Sequence, residues 1–339
     1  MELLRPPFPW FGGKSRVSGE IWRRLGDVPN YVEPFAGSIA VLLNRPHNPR
    51  TETINDIDCF VANFWRALRY APEELAYHAD YPVNEADLHA RHLWLLGQAD
   101  FRERMKFDPD FYDCKIAGWW VWGICQWIGS GWCESKRYYD SELEGCQVQP
   151  WKARPYLGDS GMGIHRPSQK LPHLGNSGRG NVYEYMQVLS NRLRSVRVVC
   201  GDWTRVLGDS VTIKHGLTGI VLDPPYSHDI RDESLYAHDN DIAGDVRQWA
   251  IEHGRCPELR IALCGYADEH AMPDDWSVYQ WKARGGYGSQ GNGQGRENAS
   301  KEVIWFSPHC IKPEGELPLF SLVGFDSQRV DDELSVLEE

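Results

Sequence analysis

Residues 219–226 read GIVLDPPY: four small or apolar residues run straight into an aspartate, two prolines and a tyrosine. A short apolar run bounded by turn residues reads as a buried strand. The two prolines fix φ and carry no N–H, so the chain leaves that strand in a rigid turn with free carbonyls. Asp223 and the Pro224 carbonyl then present two acceptors side by side, Pro225 holds the turn, and Tyr226 lies one step beyond as a flat surface. The arrangement suits a planar amino group on an aromatic ring, whose two N–H hydrogens are accepted while the ring stacks. An ordinary proline-rich turn is the competing reading.

Outward from this point, short apolar runs alternate with helical stretches. Tyr31–Phe35 reads as a strand ending at Gly37, and residues 38–44 read as helical. Glu52–Ile54 is a strand ending at Asn55 and Asp56, followed by an amphipathic stretch over Ile57–Leu68. Val196–Cys200 is strand-like and ends at Gly201 and Asp202. Ile242–Glu252 reads as helical, and Arg260–Cys264 and Val303–Phe306 as strands. Strands alternating with helices predict an α/β fold with a mostly parallel sheet covered on both faces. Three strands end in acidic steps, at Asp56, Asp202 and Asp223. Ligands of open α/β sheets sit at the carboxyl ends of strands, so the three acids point to one site.

Between Leu68 and Val196 the alternation fails. Residues 79–113 read as helical and polar, and 114–190 are rich in Trp, Gly, Pro and basic residues. The predicted organisation is a main α/β unit of residues 1–79 and 195–312, an inserted unit of 80–194, and an acidic tail of 313–339. Residues 283–300 form a Gly/Asn/Gln-rich loop.

A length of 339 residues fits one large domain or two ordinary ones. Mean hydropathy is -0.51, and no apolar run approaches the roughly 18 residues of a membrane helix. The opening residues MELLRPPFPWFGG do not read as a secretory signal. Nine scattered cysteines without a C-x-x-C pair fit a reducing cytoplasm better than a disulfide framework or zinc ribbon. No feature suggests an obligate protein partner.

The net charge of -12 is uneven: residues 313–339 contribute -7 and residues 227–245 contribute -5. The remainder is neutral, and within it residues 147–197 carry a local +6. Such a basic segment is compatible with DNA binding, with a solvated loop face as the alternative. His89 and His92, three apart on a predicted helix, lack a third metal ligand nearby.

Five segments in order resemble the amino-group DNA methyltransferases that use S-adenosylmethionine, most closely the Dam-type adenine methyltransferases. These are FPWFGGK (8–14), EPFAGSIAV (33–41), INDID (54–58), CGDW (200–203) and DPPY (223–226). The resemblance covers about residues 5–70 and 196–310, and the intervening segment falls where that family keeps its target-recognition domain. It implies a Rossmann-like sheet with an inserted recognition domain, S-adenosylmethionine as cofactor, and methyl transfer to adenine N6 in double-stranded DNA by base flipping. Cytosine N4 is the alternative target, and an inactive DNA-binding protein on the same scaffold is the alternative of another class. Two departures stand out. Ile39 occupies a place where the family has a small residue, and GWWVWGICQWIGSGWC (118–133) stands in place of its usual recognition string.

The resemblance also assigns roles. Glu33, Pro34, Phe35 and Gly37 form the cofactor loop, with Asn55 and Asp56 at the next strand end. Asp56 lies 23 positions after Glu33, where a Rossmann-like fold puts the acid that accepts ribose hydroxyls. Lys14 suits the methionine carboxylate, and Trp10 the sulfonium, by a cation–π contact of ~1–2 kcal/mol. Asp202 would accept from the cofactor adenine amino group, with Trp203 against its face. DNA contacts are expected from Lys152, Arg154, Arg166, Lys170 and Arg179, with Trp132 and Tyr138 lining the approach to the duplex.

Overall fold

Every residue of Thr218–Leu222 is buried, as a strand at the centre of a sheet requires. The computed structural model describes residues 4–10, 12–82, 84–127, 132–133, 182–225, 242–267, 270–281 and 302–313. Among these, seven strands form one sheet: β1 (Asn30–Glu33), β2 (Thr51–Asp56), β3 (Val196–Cys200), β4 (Thr218–Leu222), β5 (Leu259–Tyr266), β6 (Ser277–Gln280) and β7 (Glu302–Phe306). Their order is β3-β2-β1-β4-β5-β7-β6. The first five are mutually parallel, and β7 runs antiparallel to both β5 and β6. This mixed α/β sheet is consistent with a methyltransferase fold.

Nine helices are present among the described residues: α1 (Ser18–Leu25), α2 (Ala40–Leu43), α3 (Cys59–Tyr70), α4 (Pro72–Ala79), α5 (Glu85–Leu96), α6 (Ala99–Phe107), α7 (Cys114–Gln126), α8 (Val182–Leu193) and α9 (Ile242–His253). The pleat sorts strand side chains between two cores. Tyr31, Val221, Ala262, Cys264, Ile304 and Phe306 pack with α1 and α3 on one face. Val32, Ile220, Leu222, Ile261 and Leu263 pack with Val246 and Ala250 of α9 on the other.

Several elements differ from expectation for local reasons. Strand β1 stops at Glu33 because Pro34 has no N–H to continue a ladder. Helix α7 opens the Trp-, Gly- and Pro-rich segment in which the strand–helix alternation fails. Asp113 caps it, accepting from Ile116 N at 2.8 Å. Its two glycines permit close approach: a Cβ at Gly118 would lie 2.3 Å from His78 Cβ, and one at Gly123 1.9 Å from Trp132. Strand β6 is not predicted by its sequence, since SVYQ carries no alternation.

The boundary at residue 80 does not mark a break in the core. Helices α7 and α8 pack on α3 and α4. Trp120 of α7 lies 5.0 Å from the Phe8 ring. Arg192 of α8 donates to both carboxylate oxygens of the buried Glu52 on β2, at 2.7 and 2.9 Å. Part of the positive charge counted over 147–197 is therefore an internal ion pair.

Candidate active site

Strand β1 pairs with β2 on one side and β4 on the other, so the strand order reverses between β1 and β4. Ligands of open α/β sheets occupy the crevice outside the strand ends at such a switch point. Here β1 leads into Pro34, Phe35, Ala36 and Gly37, and β4 leads into Asp223, Pro224 and Pro225. The neighbouring ends are Asn55 and Asp56 of β2 and Gly201, Asp202 and Trp203 after β3.

Polar side chains knit these ends together. Gly37 turns the chain at φ 44° and donates its N–H to Asp56 Oδ2 at 2.9 Å. Asp56 Oδ1 accepts from Asp58 N, also at 2.9 Å. Burial and the charge of Asp58 push the Asp56 carboxyl up to about 7. Asn55 Nδ2 donates to the carbonyls of Pro34 and Gly201, each at 3.0 Å, tying the ends of β1, β2 and β3. Asn55 Oδ1 is buried with no hydrogen-bond partner.

A second cluster lies behind the β4 turn. Lys14, only 4% exposed, places Nζ 2.9 Å from Asp223 Oδ1 and donates to Gly12 O at 2.6 Å. Burial works against its charge, but the Asp223 carboxylate, with Cys264 and Glu302 nearby, holds the ammonium well above its ordinary value. Glu33 is also buried. Burial raises its carboxyl to about 8, opposed by a hydrogen bond from Tyr31 Oη at 3.0 Å and assisted by Asp223. Burial raises Glu302 as well.

Aromatic rings line the crevice. Phe35 and Trp203 stack with centroids 6.2 Å apart and planes 29° from parallel. Trp249 of α9 meets Trp203 edge-on at 6.4 Å. Asp202 is exposed and accepts from Thr204 N at 2.9 Å and from Thr204 Oγ1. Trp10 fills the space a side chain at Gly37 would need: a Cβ there would lie 2.3 Å from Trp10 Nε1. Trp65 of α3 donates its indole N–H to Gly37 O at 2.9 Å, holding the same turn from the core side.

The structure thus brings Trp10, Lys14, Glu33, Pro34, Phe35, Gly37, Asn55, Asp56, Asp202, Trp203, Asp223, Pro224 and Pro225 to the strand ends around the switch point or the segment packed on it. Lys14 meets Asp223 there. Trp132 does not fit the expected duplex-facing role. It is 8% exposed, stacks on His92 at 4.9 Å and donates to Trp120 O at 3.1 Å, because the missing side chain of Gly123 leaves it a slot in the core. His92 Nε2 accepts from Cys133 N, so this ring is a core acceptor. Tyr226, Tyr138, Lys152, Arg154, Arg166, Lys170 and Arg179 lie outside the described residues, as do the loop at 283–300 and all but the first residue of the 313–339 tail. Sequence reading misses Glu302, Trp65 and Trp249. Trp65 sits in an apolar helix face and reads as core, and the other two reach the crevice only through the sheet order.

These donors fit a nucleoside cofactor with a charged tail. There are carboxylates at three strand ends, a flat aromatic pair, a glycine turn that a side chain would block and an orphaned buried amide oxygen. Among the described residues no group of three His, Cys, Asp or Glu could hold a metal ion, and no helix is long and apolar enough to cross a membrane. The mixed α/β sheet and its switch point are consistent with a methyltransferase fold. Residues 10–96 match the family model of the D12 class N6 adenine-specific DNA methyltransferases. The chain is also similar to the DNA N-6-adenine-methyltransferase of Escherichia phage P1, 30% identical over 98 residues. That match spans 27% of this chain and 13% of the phage protein.

Proposed function

We propose that the protein is an S-adenosylmethionine-dependent methyltransferase acting on adenine N6 in double-stranded DNA. The observation that carries this reading is the meeting of Asp223-Pro224-Pro225 with the Gly37 turn and Lys14 at one switch point. Bound in this crevice, S-adenosylmethionine supplies an electrophilic methyl group on a sulfonium. Asp56 accepts ribose hydroxyls, and Phe35 and Trp203 offer faces to the cofactor adenine, with Asp202 at its edge. Lys14 holds Asp223 and brings positive charge to the methionine end, beside Glu33 and Trp10.

An exocyclic amino group is a poor nucleophile because its lone pair is delocalised into the ring. Asp223 and the Pro224 carbonyl accept its two N–H hydrogens and favour a pyramidal nitrogen with its lone pair directed outward. Tyr226 stacks on the base. Positioning and electrostatic stabilisation supply the rate, with no covalent enzyme intermediate. The target base cannot reach this turn inside a duplex, so it is flipped out at a cost of a few kcal/mol. Lys152, Arg154, Arg166, Lys170 and Arg179 supply phosphate or base contacts, since the rest of the chain is neutral or acidic.

The test is transfer of labelled methyl from S-adenosylmethionine to duplex DNA, followed by nucleoside analysis and methylation-aware sequencing. N6-methyladenine at a defined motif is the expected product. Label in N4-methylcytosine, or cofactor binding without any transfer, would overturn the reading.

A further inference from the structure

Cys59 and Cys200 have no part in the site described above, yet they frame it. Cys59 opens α3 directly after Asp58, and Cys200 closes β3 directly before Gly201, Asp202 and Trp203. The parallel register of β2 and β3 sets Cys200 beside Asp56. The Cys200 thiol donates to Cys59 Sγ at 3.8 Å. Both are free thiols with little exposure, 6% for Cys59 and 1% for Cys200.

The two thiols are chemically unequal. Cys59 sits in the first turn of a helix, where backbone N–H groups favour an anion. The hydrogen bond from Cys200 lowers its pKa, with Lys106 and Arg102 helping and burial and Asp58 opposing. The same hydrogen bond, with burial, raises that of Cys200. Cys59 is thus the better nucleophile, and Cys200 waits within reach to resolve its oxidation product.

We propose that Cys59 and Cys200 form a reversible disulfide when a peroxide oxidises the protein, and that this bond weakens cofactor binding. The Cys59 thiolate attacks a peroxide oxygen and gives a sulfenic acid and hydroxide. The Cys200 thiol then attacks the sulfenic sulfur and expels water as the S–S bond forms. Overall, two thiols lose two electrons and two protons, and one hydrogen peroxide becomes two waters. A dithiol reverses the bond by exchange.

The coupling rests on the function proposed above. Bond formation draws the sulfurs from 3.8 Å to about 2 Å, which shifts the first turn of α3 against the end of β3. That turn carries the Asp58 N–H that holds Asp56, and the β3 end carries the Gly201 carbonyl that holds Asn55. Oxidation therefore disturbs the acid assigned to the ribose.

The experiment treats the full chain with hydrogen peroxide, blocks remaining thiols, and maps peptides by mass spectrometry. In parallel, S-adenosylmethionine is titrated by calorimetry into reduced, oxidised and dithiothreitol-rescued protein. A Cys59–Cys200 linked peptide and an affinity loss of about tenfold, restored by dithiothreitol, are expected. C200S is expected to form no linkage and to accumulate oxidised Cys59. If that variant does not fold, the wild-type peptide map decides alone. Absence of the linked peptide, or linkage of either residue to another cysteine, overturns the proposal. A linked protein with unchanged affinity overturns the coupling. Reduced protein that binds no S-adenosylmethionine overturns the cofactor reading and the coupling with it, while the linked peptide still decides the thiol chemistry.

Discussion

Lys14 Nζ lies 2.9 Å from Asp223 Oδ1, joining the N-terminal FPWFGGK segment to the DPPY turn through an ion pair whose cation is 4% exposed. The acid proposed to hold the target amino group is thus also the counter-ion of a buried ammonium.

Replacing Asp223 therefore has two separable effects. Asp223→Ala removes this carboxylate from the buried Lys14 ammonium and is expected to destabilise the fold by about 3–5 kcal/mol, the usual cost of breaking a buried pair. Asp223→Asn keeps an acceptor toward Lys14 and is expected to fold, yet to lose at least ~3 kcal/mol of transition-state stabilisation, roughly a hundredfold in turnover. A double Lys14→Met, Asp223→Ala variant is expected to regain stability without activity. Urea unfolding and methyl-transfer rates measured side by side separate the effects. An Asn variant retaining more than about a tenth of the wild-type rate would sink the catalytic role.

The buried carboxyls predict an inverted pH dependence. Glu33 is raised from 4.5 to about 8 and Asp56 from 3.8 to about 7, by burial first in each case. Between the unfolded and folded values the native state holds protons that the unfolded chain has released. Their contribution to stability is thus full below about pH 4 and declines as pH rises through 7 to 8, by at most about 1.4 kcal/mol per pH unit for each group. Glu33→Gln is expected to match wild type near about pH 5 and to exceed its stability near about pH 8.5, by on the order of a few kcal/mol. Equal denaturation midpoints for the two proteins at both pH values would exclude a neutral Glu33.

Much of the fold and of the crevice is legible in the amino-acid sequence, because the apolar runs and the acids that end them are local signals. Val196–Cys200 and Gly219–Leu222 fall on β3 and β4, and Asp56, Asp202 and Asp223 stand at the carboxyl ends of β2, β3 and β4. What stays hidden depends on topology or close packing. Helix α7 is apolar on nearly every side, so it shows no amphipathic period. Its glycines read as helix breakers, and only the packing of His78 and Trp132 into the space they leave explains them. Glu302 reaches Lys14 only because β7 inserts beside β5. Trp132 reads as a surface aromatic because nothing in its neighbourhood marks the slot over Gly123.

Ile39, the residue that departs from the resembling family's loop, carries φ 48° and is fully buried at the start of α2. A β-branched side chain in the left-handed region costs roughly 1–2 kcal/mol. Ile39→Ala loses the buried side chain and retains most of that penalty, whereas Ile39→Gly loses the side chain and relieves it. Glycine is therefore expected to be less destabilising than alanine here, by about 1 kcal/mol, the reverse of the order inside a helix. Chemical denaturation of the two variants checks the order, and alanine being the more stable would contradict the backbone assignment.

Gly37 tests whether the turn and Trp10 act as one unit. Its φ of 44° disfavours any side chain, and an added Cβ would lie 2.3 Å from Trp10 Nε1 and 2.4 Å from Trp10 Cδ1. The turn itself cannot move away easily, since its carbonyl accepts from Trp65 and its N–H donates to Asp56. In Gly37→Ala the indole of Trp10 must therefore give way. Overpacking of this kind costs about 1–3 kcal/mol, and the left-handed backbone adds about 1 kcal/mol. Displacing Trp10 also alters the surface proposed to meet the sulfonium, so S-adenosylmethionine affinity is expected to fall about tenfold or more. Trp10→Ala in the same background removes the clash. Gly37→Ala/Trp10→Ala is expected to be less destabilised than the two single changes added together, a coupling that a double-mutant cycle reads directly. Strict additivity in both stability and cofactor affinity would show that the turn and the indole are independent, and would remove Trp10 from the proposed cofactor site.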